Sequence, residues 1–346
     1  MAKKVAVIRG DGTGPELVDA TMEVFKAVGA TDSIEFIPCE GGAEYYHTSH
    51  SESYIPQATW DVLAGSDACL KGPTTTEPGP NTPRSVAVSI RQKFDLYANV
   101  RPIKTYKGWG GPLGAVDMFF VREGTEGLYS GIEFKLGDDA AAAVRKVTRK
   151  SSEKVIRFAF REAANRGWKK VIAINKANIL KVTDGLWLEV FRTVGKEFPG
   201  IEREEYLVDN FSQQLVKNPQ LFNQNVIVGT NLFMDVLTEE ASGLIGSIGM
   251  VYSANIGDSY AMFEPAHGSS PKYKGLDKVN PVATVLSGAW LLKYLGDAKK
   301  GDSIFSAVDS IVSEGKVLTY DLKGTAGTKE MAGAIAKKAA EFLSTS

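Results

Sequence analysis

Cysteine and histidine are scarce in this 346-residue chain, at two and three residues, and each scarcity excludes something. Cys39 and Cys69 lie apart in apolar runs, IEFIPCE and SDACL, so they read as free buried thiols. Neither a disulfide framework nor a sulfur-and-imidazole zinc site follows from them. His47 and His50 share the polar stretch YYHTSHSES and read as solvent-exposed. No apolar run is long enough to span a bilayer. A formal net charge of −1 leaves no broad footprint for nucleic acid or an anionic membrane surface. Internal repeats, low-complexity tracts and long linkers are missing too, so any division into domains must come from chain crossing. The opening MAKKVAVIRGDG passes directly into a strand-like run without a signal peptide, and a cytoplasmic protein is the expectation. What remains, 43% hydrophobic and 23% charged, is an ordinary globular composition, with length enough for two domains or one large split α/β domain.

The informative stretch is Ser85 to Pro102, SVAVSIRQKFDLYANVRP, which sets Arg91 and Arg101 ten residues apart. Arg122 follows in VREGTEGLYSGIEF, seven residues before Tyr129. Three guanidiniums in Gly/Pro-rich, loop-like contexts repel one another and are costly to desolvate. They make sense as a clamp for a small, multiply charged anion, because arginine binds carboxylates bidentately and keeps its charge.

Strands and helices alternate around this stretch. Val5 to Ile8, the turn GDGTG, Pro15 and a stop at Gly29 spell strand, turn and helix. The turn's spacing is not G-x-G-x-x-G, and Asp11 and Glu16 would repel a pyrophosphate, so a Rossmann site is not expected. SSEKVIRFAFREAANRG reads as a serine-capped helix ending at Gly167. A strand from Val171 to Ile174 then delivers Lys176, Asn178 and Lys181 at its carboxyl end, where ligands gather in open α/β sheets. Another strand, Val226 to Val228, precedes a helix whose i,i+4 spacing puts Asp235 and Glu239 on one face. With Asp209 these carboxylates suit magnesium or manganese if they converge, or a solvated helix face if they do not. Tyr129 and Lys176 are candidates for proton transfer if the arginines or a metal depress their pKa values. Glu264 to Pro281, EPAHGSSPKYKGLDKVNP, has the small residues, the histidine and the Lys272-Tyr273 pair of a loop wrapped on a nucleotide.

Together GDGTGPE, KGP, RQKFDLYANVRP, REGTEGLYSGIE, VDN, NLFMD and EPAHGSSPKYKG resemble, in order and spacing, the β-decarboxylating dehydrogenases. That family comprises the isocitrate, 3-isopropylmalate, homoisocitrate and D-malate/tartrate dehydrogenases. The resemblance spans nearly the whole chain and implies an α/β, non-Rossmann mixed sheet. It further implies a large discontinuous domain on the cofactor side, residues 1–96 and 246–346, and a small central dimerisation domain, residues 97–245. The expected unit is a homodimer with shared active sites. The resemblance assigns Arg91, Arg101 and Arg122 to the substrate carboxylates, with Ser85 and Asn178 as further substrate contacts. Tyr129 becomes the acid that protonates the enolate, and Lys176, lent by a second copy, assists removal of the hydroxyl proton. Asp235 and Glu239, with Asp209 of the second copy, hold magnesium or manganese. Thr75, Thr76, His267, Gly268, Ser269, Ser270, Lys272, Tyr273, Val279, Asn280 and Tyr320 form the cofactor site.

Departures from the family pattern sharpen the expectation. Glu239 stands where aspartate is usual, and Met234 replaces a glycine. Arg84-Ser85 and Arg91-Gln92 resemble isocitrate dehydrogenases, but Ala87 stands where those enzymes have asparagine. Isopropylmalate enzymes place leucines at Ala87 and Val88 and a glutamate at Arg84, none of which is here. The expected reaction is oxidative decarboxylation of isocitrate to 2-oxoglutarate and carbon dioxide, a step of the tricarboxylic acid cycle. Homoisocitrate, which fits the space at Ala87, and 3-isopropylmalate are the alternatives. A non-catalytic regulatory subunit ranks below them, because Tyr129, Lys176, Asp209 and Asp235 are all retained. Lys272-Tyr273 and Tyr320 suit NADP rather than NAD, since a lysine and two phenols favour a ribose 2′-phosphate. The arginine that NADP enzymes place four residues after Tyr320 is Gly324, with Lys323 beside it as the expected stand-in.

Overall fold

The computed structural model describes residues 2–79, 81–109 and 111–345. Met1, Pro80, Gly110 and Ser346 lie outside the described residues, the outer ends of the expected large domain among them. The chain opens with β1 (Lys3–Ile8) and α1 (Gly14–Ala27), where Pro15 occupies the first turn and loses no helical hydrogen bond. Gly29, at φ 65°, follows the helix end as expected. β2 (Ile34–Cys39), α2 (Ala43–Ser49), α3 (Gln57–Ala64) and β3 (Ala68–Lys71) come next. Then α4 (Val86–Lys93) leads into the antiparallel pair β4 (Ala98–Lys104) and β5 (Asp117–Glu123). A two-stranded ribbon, β6 (Glu133–Lys135) with β7 (Ala141–Ala143), stands apart from the main sheet.

The middle of the chain runs α5 (Arg149–Asn165), β8 (Lys170–Asn175), α6 (Thr183–Gly195), β9 (Glu202–Leu207), α7 (Val208–Lys217), β10 (Asn225–Gly229) and α8 (Asn231–Leu244). The serine expected to cap α5 gives way to Thr148, whose hydroxyl accepts from Ser151 N at 3.2 Å. Thr148 takes that place because Glu126 already holds its N–H at 2.7 Å and its hydroxyl at 3.0 Å. The chain finishes with β11 (Tyr252–Ile256), β12 (Ala261–Pro265), α9 (Val282–Tyr294), α10 (Ala298–Glu314) and α11 (Thr328–Thr345). Helix α9 is buried on every side; it lies on β11 and β12 with α1 and α10 packed against it. Among the described residues no helix is long and apolar enough to cross a membrane. Cys39 and Cys69 are free thiols, the second fully buried.

Ten strands form one mixed sheet in the order β2-β1-β3-β12-β11-β4-β5-β10-β8-β9, the non-Rossmann sheet implied by the family resemblance. Strand β11 runs antiparallel to both β12 and β4, and β4 antiparallel to β5; the other pairs are parallel. Strands from the two chain ends fill one half of the sheet, and strands from the middle fill the other. The halves join only where β11 meets β4, through Ala254↔Val100, Asn255↔Asn99 and Ile256↔Ala98.

The turn after β1 is a docking point rather than a phosphate cradle. A Cβ on Gly10 would stand 2.0 Å from the Pro73 carbonyl oxygen, and one on Gly12 2.3 Å from that of Ser269. Asp11, 2% exposed, accepts from the N–H groups of Ala43, Glu44 and Thr75 at 3.0, 2.8 and 2.7 Å. Gly10 also has φ +76°, so Gly10→Ala adds left-handed strain to the clash and should cost about 2 kcal/mol or more. Chemical denaturation checks this, and an unchanged midpoint would mean that the Pro73 segment gives way freely.

Candidate functional site

Alternation along β4 puts Asn99 and Arg101 on one face, and the β4–β5 register sets Arg122 opposite Asn99. Arg91 arrives from the last turn of α4. The three arginines therefore stand on regular elements, not on the loops their sequence context suggested, and are only 6%, 6% and 2% exposed. A helix and two strands hold them because a buried guanidinium needs fixed partners, which a mobile loop does not supply.

Each arginine has a built socket. Arg91 donates to Glu264 at 3.1 Å, and the second oxygen of Glu264 pairs with Lys71 at 2.9 Å. Asn255 donates to Glu264 at 2.8 Å and accepts from Asn99 at 2.8 Å. A polar row thus crosses β3, β12, β11 and β4. Arg122 forks onto the Asn231 side-chain oxygen at 3.0 and 2.7 Å, and also donates to Asp235. Arg101 donates to Thr238 at 2.7 Å and faces Asp235 at 3.6 Å and Glu239 at 3.5 Å. The two carboxylates on one face of α8 are therefore arginine partners, as their spacing allows. The Nε atoms of Arg91 and Arg101 and the Nδ2 of Asn231 remain buried without a partner. A buried cationic cluster with donors to spare suits an anion.

Tyr129 lies in the turn after β5 and donates its hydroxyl to Asp235, with Arg122 4.8 Å from its ring centre. Buried Glu123 fixes that turn by accepting from Thr125, Glu126 and Ser151. Burial raises the pKa of the Tyr129 hydroxyl above its ordinary value, and Arg122 only partly opposes it. The lowering by Arg122 is thus outweighed by burial, and at neutral pH the group is a proton donor. Burial also pushes the Arg122 guanidinium down to about 10, with Arg91 adding to the shift. Burial would raise Asp235, but Arg122 and then Arg101 more than offset it, so its carboxyl sits low. For Glu239 burial wins over Arg101, and its carboxyl sits high.

Lys176 and Asp209 are joined to each other at 2.6 Å, and no described contact of theirs reaches the arginine cluster. Among the described residues no three His, Cys, Asp or Glu side chains of the single chain could hold a metal ion. The Lys176 main chain is nonetheless tied to α8. Its N–H donates to fully buried Asp184 at 2.6 Å, and Arg145 pairs with Asp184 and donates to Thr230, the residue preceding α8, at 2.8 Å. Asn178 is exposed beside this pair, and Ser85 precedes α4 with no side-chain capping bond.

A cavity of about 130 Å³ lies between the β12–α9 connection and the turn after β1. Of the expected cofactor residues, His267, Ser270, Tyr273, Val279, Asn280 and Tyr320 line it. Ser269 and Thr75 join their hydroxyls at 2.6 Å beside it, and Thr13 donates to the Ser269 carbonyl. Gly268 accepts from His267 Nδ1, Lys272 stacks on Tyr273 at 4.9 Å, and Thr76 is exposed. His267 Nε2 is buried without a partner, and burial lowers that ring's pKa, so at neutral pH it presents a neutral imidazole edge. The residues suit a nucleotide. Thr13, Ser247, Ile248, Gly249 and Asp321 line the same cavity and went unrecognised in the sequence, where nothing but the Thr in GDGTG marked them.

These features match known proteins. The isocitrate/isopropylmalate dehydrogenase family matches residues 4–335. The chain is 42% identical over 341 residues to a homoisocitrate dehydrogenase of Methanocaldococcus jannaschii, covering 95% of each. It is 39% identical over 342 residues to a 3-isopropylmalate/3-methylmalate dehydrogenase of the same organism, covering 98% of this chain and 99% of that one. The crystal structure of isocitrate dehydrogenase from Methylococcus capsulatus superposes with a TM-score of 0.92 at 40% identity, over 97% of this chain and 99% of that one.

Glu264 supplies a test of the polar row. Burial raises its pKa, but Lys71 and then Arg91 draw it from 4.5 down to about 2. A depressed folded pKa means that its stabilisation is present above pH 4.5 and lost as pH falls toward 2. Glu264→Gln should cost about 3 kcal/mol at neutral pH, and the gap from the unsubstituted protein should close across that window. A gap that stays constant under acid would show that Glu264 does not anchor the cations.

Proposed function

Since the chain belongs to the isocitrate/isopropylmalate dehydrogenase family, we propose that it oxidatively decarboxylates isocitrate to 2-oxoglutarate and carbon dioxide with NADP and magnesium or manganese. The observation that carries this reading is the buried convergence of Arg91, Arg101 and Arg122 with idle Nε donors, beside Tyr129 and Asp235. Ser85 supports isocitrate, because its uncapped hydroxyl at the start of α4 is free to donate to a distal carboxylate. Small, half-buried Ala87 favours the second reading, homoisocitrate, whose extra methylene needs that space. The cytoplasm suits the free thiols Cys39 and Cys69.

Bound nicotinamide supplies the hydride acceptor, and a bound divalent cation supplies Lewis-acid polarisation of the reacting oxygen. The protein's part is orientation and proton traffic. The arginines hold the carboxylates and exclude water. Lys176 would assist removal of the hydroxyl proton. After carbon dioxide departs, Tyr129 returns a proton to the enolate carbon, with Arg122 and Asp235 steadying its phenol. Asp235 and Glu239 of one chain and Asp209 of a second would hold the cation.

A second copy supplies Lys176 and Asp209 in this reading. Support comes from apolar side chains left facing outward. Ile132, Phe134, Leu136 and Val144 of the β6–β7 ribbon are 46%, 51%, 56% and 42% exposed, and Val236 of α8 is 61% exposed. The proposed division into residues 1–96 with 246–346 and residues 97–245 is supported by the sheet, one half of which draws its strands from the chain ends and the other from the middle.

Steady-state assays of isocitrate, homoisocitrate, 3-isopropylmalate and D-malate with NADP and NAD test the assignment. The expected result is the highest kcat/KM for isocitrate with NADP, abolished by chelation. A higher value for homoisocitrate moves the assignment to the second reading, and turnover that survives exhaustive chelation removes the metal. Sharing of the site has its own test. Lys176→Met and Asp235→Asn chains, each inactive alone, should regain activity when mixed into confirmed hybrid dimers, because each hybrid contains one intact site. Hybrids without activity would mean that each site is built within one chain.

A further inference from the structure

NADP enzymes of this family place an arginine where Gly324 stands, and the fold explains why none can be accommodated here. A Cβ on Gly324 would lie 1.9 Å from the Leu318 carbonyl oxygen and 2.4 Å from its carbon, both main-chain atoms. Any side chain at this position requires the backbone to move. Lys323, the expected stand-in, has φ +62° after the 320–322 turn and donates its main-chain N–H to the Tyr320 carbonyl at 3.0 Å, and among the described residues its ammonium makes no ion pair and lies over neither tyrosine ring. The cation that accompanies Lys272 must come from elsewhere.

Lys278 is already there. Its ammonium lies 4.9 Å from the centre of the Tyr320 ring and 5.8 Å from that of Tyr273. Lys272 lies 4.9 Å from the Tyr273 ring, and the two rings are 5.7 Å apart. Neither lysine has an ion-pair partner among the described residues, so both charges are uncommitted. The main chain on both sides of Lys278 is pinned to the start of α11. Thr328 donates its N–H to Asp277 at 3.2 Å and its hydroxyl to Val279 at 2.6 Å. The nearby carboxylates are occupied. Asp277 accepts from Lys329 N at 2.9 Å, and Asp321 accepts from Ser247, Asn280 and Thr319.

We infer that Lys278, with Lys272, Tyr273 and Tyr320, binds the ribose 2′-phosphate of the cofactor and takes over the part of the missing arginine. The inference rests on the NADP reading and deepens it. A phosphate set between the two ammonium groups takes a charge-assisted bond from each and a hydroxyl from each tyrosine. A ribose 2′-hydroxyl gains almost nothing from the same cations, so Lys278 acts on the choice of cofactor rather than on the reaction.

Titration calorimetry with adenosine 2′,5′-bisphosphate and adenosine 5′-monophosphate tests this on the intact protein, without substrate or turnover. Lys278→Gln should weaken the bisphosphate about tenfold and leave the monophosphate unchanged, whose binding also reports correct folding. Lys278→Arg should retain the bisphosphate, and in steady state Lys278→Gln should raise KM for NADP but not for NAD. If the unsubstituted protein prefers the bisphosphate and Lys278→Gln keeps that preference, this inference is overturned and the NADP reading stands. If the unsubstituted protein binds the monophosphate at least as well, both are overturned.

Discussion

Desolvated positive charge is the constraint from which the rest of the site follows. Arg91, Arg101, Arg122 and Lys71 are all at most 6% exposed, and each would be unfavourable in the interior without counter-charge. The fold answers with Glu264 between Lys71 and Arg91, and with Asp235 and Glu239 across from Arg101 and Arg122. Neutral amides and a hydroxyl, from Asn99, Asn231, Asn255 and Thr238, occupy positions that further carboxylates would over-neutralise. The counter-charge of the cluster is incomplete, and some of its donors lack partners among the described residues.

The same balance assigns different states to chemically similar groups. Asp235 and Glu239 stand one helical turn apart on α8, yet one is drawn low and the other pushed high. The difference is contact. Asp235 touches both Arg122 and the Tyr129 hydroxyl, whereas Glu239 meets only Arg101, at 3.5 Å. A longer side chain in place of an aspartate thus leaves a carboxyl that is less committed to the arginines.

Much of the fold was legible in the sequence, because period, turn glycines and prolines are local signals. The strands at Val5, Val171 and Val226 and the helix carrying Asp235 appear where patterning puts them. The arginine trio stood out in the sequence, but its placement on a helix and two strands did not. Glu264, Asn255, Asn99 and Asn231 could not be paired in advance, since their contacts depend on register between strands far apart in the chain. The Thr148 cap depends on Glu126, another tertiary contact. Lys278 escaped notice for a related reason: its relation to Tyr320 exists only after the 277–279 segment docks on α11. Lys176 and Asp209 rest on the family resemblance, and within one chain they pair with each other rather than with the arginine cluster.

The join between the halves of the sheet carries a further consequence. Only three residue pairs hold β11 to β4, and the middle one, Asn255↔Asn99, is also the side-chain link between the Glu264 and Arg122 sides of the cluster. Mechanical continuity and the placing of the buried cations therefore pass through the same two asparagines. A substitution there that stiffens or slackens the sheet also resets the spacing between Arg91 and its fellow arginines. Adaptation of this scaffold to heat or cold, where sheet rigidity is the property under selection, has no freedom at that seam separate from its taste for ligands.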